Sequence, residues 1–173
     1  MAGDVTPRDD LEAAVLEDVA HIGAPWEVIE IDPALADTAE FCEHYGYSLD
    51  QSANCILVAS RTEPLQVAAC LVLANTKLDV NKRVRKLMGV RRLSFASPDL
   101  VRVLTGMEIG GVTPFALPDD IPLYIDQRIR TLDRAIVGGG SRRLKLLVDP
   151  VAFDALPGAE WITDLAIVPE TST

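Results

Sequence analysis

The sequence predicts one compact α+β domain of the mixed α/β kind, and three observations predict it. Helix-type spacing and strand-type runs interleave along the chain, as they do in a domain that packs helices on a sheet. No repeat and no linker-like stretch divides the 173 residues, which are enough to bury a sizeable core without disulfides or metals. Two apolar, β-branched-rich runs, 53–60 and 65–74, flank Arg61-Thr62-Glu63-Pro64 and read as a buried hairpin.

The elements follow in order. Thr6-Pro7 offers a capping oxygen and a proline at a first helical position, and Leu11, Val15, Val19 and Ile22 follow at helical spacing up to Gly23. Residues 26–31 are strand-like. Asp37 with Glu40 resembles a capping box that opens a short helix through Tyr45. After the hairpin, 79–88 is amphipathic, with Val80, Val84 and Leu87 inward and its bases outward. Strands are expected at 90–96, 121–125, 134–137 and 144–148, with a helix opened by Ser97-Pro98 and ended by Gly106. A helical turn at 150–156 and an edge strand at 161–168 complete the chain, and the terminal PETST should fray.

Charge is divided unevenly. The net charge is −10, yet residues 51–148 hold 15 bases against eight acids, while residues 1–50 hold 13 acids against one base. Residues 149–173 add five acids and no base. Lys82, Arg83 and Lys86 belong to a basic cluster over 77–92 in which Asp79 is the only acid. Such a cluster is a candidate phosphate-contacting face, or else a solvated helix face. The acidic flanks argue against a general RNA-coating protein.

The three cysteines, Cys42, Cys55 and Cys70, show no metal-ligand spacing and read as buried thiols in a reducing, cytoplasmic setting. No apolar run approaches membrane-span length, and the N-terminus reads as neither signal nor transit peptide. There is no GxSxG elbow, HExxH, Walker A loop or strand-linked GxGxxG, and neither a metal nor a cofactor is expected.

Two glycine-rich stretches carry the candidate chemistry. Gly110-Gly111-Val112-Thr113-Pro114 couples paired glycines to a stiff proline, a means of presenting backbone N–H groups to an oxyanion or polarised carbonyl; a tight helix-to-strand connection is the plainer reading. Gly138-Gly139-Gly140-Ser141-Arg142-Arg143 offers backbone amides, a hydroxyl and two guanidinium groups, or else a loop with solvated arginines.

These stretches, TGMEIGGVTPFALP followed by IPLYID, with the segment from Lys77 to Gly106 upstream and AIVGGGSRRLKLLVDP downstream, resemble the YbaK/ProX family of aminoacyl-tRNA editing domains. The resemblance covers roughly 26–157, leaving an N-terminal helical extension at 6–22 and a strand-like tail at 161–168 of a single domain spanning 1–173. It implies a mixed, largely antiparallel central sheet flanked by helices, and a cleft that hydrolyses the ester of a mischarged tRNA. The implied partners are tRNA and, alongside it, an aminoacyl-tRNA synthetase; neither DNA nor membrane is implied.

The resemblance places the functional residues at Asn54, Gly110, Gly111, Thr113, Pro114 and Asp126, with Gly138 to Arg143 and Lys82, Arg83 and Lys86 holding substrate. Asp126 matches a family aspartate near the pocket, where it would orient a water or the α-amino group; a strand-end turn former is the plainer reading. At position 54 the family carries a lysine, and this chain has Asn54 in its place. Asparagine donates hydrogen bonds but cannot neutralise charge. The change leaves two readings open: a working trans-acting deacylase, or a weakened member that binds aminoacyl-tRNA, a nucleotide or a small ligand. On the sequence alone, Asn54→Lys should raise hydrolysis.

Overall fold

The computed structural model describes residues 5–170. The first four residues, and the last three of the tail expected to fray, lie outside them.

The first helix, α1 (Asp10–Ile22), starts later than Thr6-Pro7 suggests. Asp9 caps it, its carboxylate accepting from the Glu12 N–H at 2.9 Å, a contact worth about 1 kcal/mol. Gly23 closes it at a left-handed φ of 82°. Val15 and Val19 are buried, as their spacing requires. So is Glu12, which the spacing does not reveal.

The strands divide between two main sheets. β1 (Trp26–Glu30), β8 (Leu144–Val148) and β7 (Ala135–Gly138) form an antiparallel sheet in the order β1-β8-β7. The predicted hairpin is β2 (Ala53–Ser60) with β3 (Val67–Leu73), and it centres a five-stranded mixed sheet. There β5 (Leu93–Phe95) lies antiparallel to β2, while β6 (Leu123–Asp126) and β9 (Ala159–Ile162) add in parallel beyond β3. A short ribbon pairs β4 (Lys77–Leu78) with β10 (Ala166–Ile167). The expected single edge strand over 161–168 is thus two strands in two different sheets.

The main sheets touch at a bridge between Ser52 and Ile136. Between them lies the principal core, holding Cys55, Leu57 and Leu71 on one side and Val137, Leu144 and Leu146 on the other. A second core covers the opposite face of the five-stranded sheet, where Val58, Cys70 and Val72 meet Val80, Val84 and Val90. Alternation along β2 therefore sends successive side chains into different cores, which is why the hairpin reads as continuously apolar.

Local departures have local causes. Residues 79–88 begin as a π turn at Val80–Val84 before α3 (Arg85–Met88). The strand expected from 90 starts only at Leu93, because the Val90 N–H still serves the helix end by donating to Arg85 O at 3.3 Å. α2 (Thr38–Tyr45) has Asp37 at its N-cap without the expected side-chain cap; that carboxylate instead pairs with Arg142 Nη1 at 3.2 Å. α4 (Pro98–Thr105) is capped by Ser97 as predicted.

Candidate active site

β5 pairs with β2 at Val58–Ser60, and the Ala96 N–H donates to Leu57 O at 2.9 Å, so Ala53–Ile56 keep an open strand edge on that side. A cavity of about 380 Å³ lies along that edge. Its remaining walls come from Thr38 and Phe41 of α2, Gly110 and Val112, and Gly138 with Lys145 of the other sheet. Phe95 and Ile109 also line it and are 60% and 47% exposed, which gives the cavity an apolar mouth.

The two glycine stretches meet main chain to main chain. The Gly140 N–H donates to Gly111 O at 2.7 Å. A Cβ on Gly111 would sit 2.5 Å from the Ser141 carbonyl, and one on Gly138 would lie 2.8 Å from the Gly111 carbonyl carbon. Gly110, not Gly111, takes the left-handed φ, at 94°. The stretch is also less exposed than the sequence suggests, since residues 111–115 are buried. Gly110, Val112 and Gly138 face the cavity. Thr113 is fully buried, its Oγ1 without a hydrogen-bond partner among the described residues. Pro114 lines a separate cavity of about 550 Å³ beside α1.

Asn54 does line the first cavity. Its Oδ1 accepts from Thr38 Oγ1 at 2.7 Å, leaving its NH2 as a donor. Other residues expected at the site, Asp126, Ser141, Arg142 and Arg143 among them, do not line this cavity. Asp126 is 1% exposed and outside the cavity; its oxygens accept from Arg128 N, Arg128 Nη1 and Ala166 N, bracing the 3-10 turn that follows β6. Ser141 and Arg143 turn to the buried Glu12: Ser141 Oγ donates at 2.6 Å, Arg143 Nη2 at 2.6 Å and Nε at 2.9 Å. Arg142 is occupied by Pro33 O, Ile109 O and Asp37. Gly139 packs on Leu144, and Gly140, at φ 96°, packs against Val15.

Lys82 and Lys86 are exposed, and neither they nor Arg83 has an ion-pair partner among the described residues. Arg83 donates from Nε to Thr163 O at 3.2 Å. The basic run ends at Arg92, three residues of chain before Phe95 at the cavity mouth, about 10 Å at the rise of an extended strand.

Lys145 is the site residue that the sequence reading missed. It sits on β8 between Ile29 and Gly138 and is 6% exposed. Its Nζ donates to Gly110 O at 3.0 Å and stands 5.4 Å from the centre of the Phe41 ring. Burial pushes its ammonium down to about 8; Asp37 opposes that fall, Arg142 adds to it and Cys42 opposes it weakly. The signal was a lone lysine inside the apolar run LKLLV. Cys55, also on the cavity, is pushed up to about 12 by burial and stays an unreactive thiol near neutrality.

Comparison with known proteins agrees with this fold. The model of the aminoacyl-tRNA editing domain family matches residues 32–156, and the chain belongs to that family. The uncharacterized protein YwhH of Bacillus subtilis is 31% identical over 124 residues, 72% of this chain and 76% of that protein. Among solved structures, a candidate trans-editing enzyme for prolyl tRNA synthetase superposes with a TM-score of 0.77 at 23% identity, over 93% of this chain and 99% of the other. Hypothetical protein APE2540 superposes at 0.78 with 25% identity, over 88% and 99%. No helix among the described residues is long and apolar enough to cross a membrane.

Proposed function

We propose that this chain is a cytoplasmic editing domain that hydrolyses the ester of mischarged aminoacyl-tRNA in trans, working beside an aminoacyl-tRNA synthetase. The observation that carries the reading is the cavity. Its 380 Å³ lies at the small end of ligand sites, suited to an amino acid with part of the terminal ribose. The basic run that ends at Arg92, three residues before Phe95 at the apolar mouth, would meet the tRNA phosphates.

In the reaction, water adds its oxygen to the ester carbon and the carbonyl oxygen becomes an oxyanion. The bond from that carbon to the ribose oxygen then breaks. One proton of the water ends on the ribose oxygen, the other is released to solvent, and the amino acid leaves as a carboxylate. Asp37 is engaged by Arg142 and Cys55 stays protonated, so the substrate's own ribose hydroxyl or amino group is the acceptor for the attacking water's proton. The Asn54 amide contributes a neutral donor to the cavity.

A second reading, binding without turnover, is favoured by the neutral Asn54 with its Oδ1 committed to Thr38. A deacylation screen with tRNA charged with alanine, cysteine, serine or proline separates the two. Enzyme-dependent release of at least one amino acid is expected. Tight binding with no release from any of the four would establish the second reading instead.

A further inference from the structure

We propose that Lys145 donates to the oxyanion in the hydrolytic cavity, an inference that rests on the editing reading above. Lysine has three N–H donors, and one goes to Gly110 O. Among the described residues no carboxylate lies within ion-pair distance of Nζ. The acid whose charge acts on it, Asp37, is held by Arg142. The Phe41 ring attracts the ammonium but carries no counter-charge.

A desolvated cation without a counter-charge is a cost to the fold. It becomes useful when a negative charge develops beside it in a site that excludes water, because donors already in place need not reorganise. β8 holds Lys145 between two hydrogen-bonded neighbours, β1 and β7, which fixes where its stem starts. Anionic oxygen could reach the site from two sources, the developing oxyanion or a tRNA phosphodiester. The 6% exposure of Lys145 favours the first, since a phosphodiester remains with the RNA backbone at the mouth.

The donor role requires the protonated amine. The charged or titratable groups around it are Asp37 before α2, Cys42 on α2, Cys55 on β2 and Arg142 in the β7–β8 turn. With Lys145 brought down to about 8, the donor is present below that pH and is lost as pH rises through it. A lysine acting as a base would give the opposite slope.

The test is steady-state deacylation by the full chain, wild type against Lys145→Met, on the aminoacyl-tRNA with the highest turnover among the alanine, cysteine, serine and proline charges. Spontaneous ester hydrolysis is subtracted at each pH. We expect Lys145→Met to lower kcat by about a hundred- to a thousandfold, to leave KM within about threefold, and to melt no lower than wild type, since it removes a buried unpaired charge. A kcat within threefold of wild type overturns the inference while leaving the editing reading standing. So does a loss confined to KM, which would assign Lys145 to a phosphate. Should the variant fold poorly, the wild-type pH profile decides: kcat falling through about pH 8 supports the donor role, and a flat or rising profile overturns it. No release from any of the four substrates by the wild type refutes the editing reading, and the inference with it.

Discussion

Replacing Glu12 by glutamine removes one charge from the buried junction that holds α1 to the β7–β8 turn. Glu12 is 0% exposed. Its two oxygens accept from Ser141 Oγ at 2.6 Å, Arg143 Nη2 at 2.6 Å, Arg143 Nε at 2.9 Å and the Arg8 N–H at 2.6 Å. Glutamine keeps the shape but turns one acceptor into an NH2, which faces donors. Two charge-assisted contacts are lost at roughly 1.5–3 kcal/mol each. Arg143 is left with Glu30, which is itself 62% exposed and a weak substitute.

Breaking one side of such a buried pair costs about 3–5 kcal/mol; some relaxation at the Arg143 end favours the lower figure, about 3 kcal/mol. In a chain of this size that lowers Tm by roughly 6–12 °C. Thermal and urea melts at pH 7 measure it. The pH dependence gives a second check. Burial alone would raise the Glu12 carboxyl, but hydrogen bonds from Arg143, Ser141 and Arg8, with the Arg143 charge, hold it below the ordinary 4.5. A depressed carboxyl stabilises the fold above its unfolded value and ceases to as pH falls through its folded value. The gap between wild type and Glu12→Gln should therefore narrow as the solution is acidified below about 4.5. A drop in Tm of less than about 2 °C at pH 7, or a gap unchanged down to pH 3, refutes the account of this junction.

Three further outcomes are expected. Gly111→Val should destabilise the fold by about 1–3 kcal/mol or more, because its Cβ would meet the Ser141 carbonyl at 2.5 Å and neither main chain can move aside cheaply; thermal melts report it, and an unchanged Tm would show that the two stretches slide apart freely. Asn54→Lys should lower turnover, contrary to the expectation from sequence, because it puts a second cation into the cavity that already holds Lys145; a rise in deacylation rate would show that the two positions do not interact. Lys82→Glu with Lys86→Glu should weaken tRNA binding and flatten its salt dependence, and this pair is chosen over Arg83 because Arg83 also braces Thr163 O; unchanged affinity and salt slope would make this face merely solvated.

What was legible in the chain was what depends on neighbours in sequence. The hairpin of β2 and β3, the Ser97 cap of α4 and the inward valines of α1 follow from alternation, cap chemistry and helical spacing, which act over a few residues. Motif order also marked Asn54 and the Gly110 turn, and both line the cavity. The roles of Glu12, Lys145 and Asp126 depend on partners 129, 35 and 40 residues away in the chain, and no local pattern encodes those distances. The resemblance placed Arg143 with the substrate, and a solvated loop was the alternative; only the docking of α1 supplied the carboxylate that claims it. The paired glycines left open which one turns the chain and which one is closely approached; Gly110 takes the left-handed φ and Gly111 meets the Ser141 main chain, a property of two main chains at once. The cavity itself arises where β5 stops short of β2's open edge and the second sheet stands across from it. Strand pairing and sheet contact of that kind are settled by burial over the whole chain, so the sequence named Asn54, Gly110 and Gly138 of the cavity lining and tertiary structure alone put Lys145 among them.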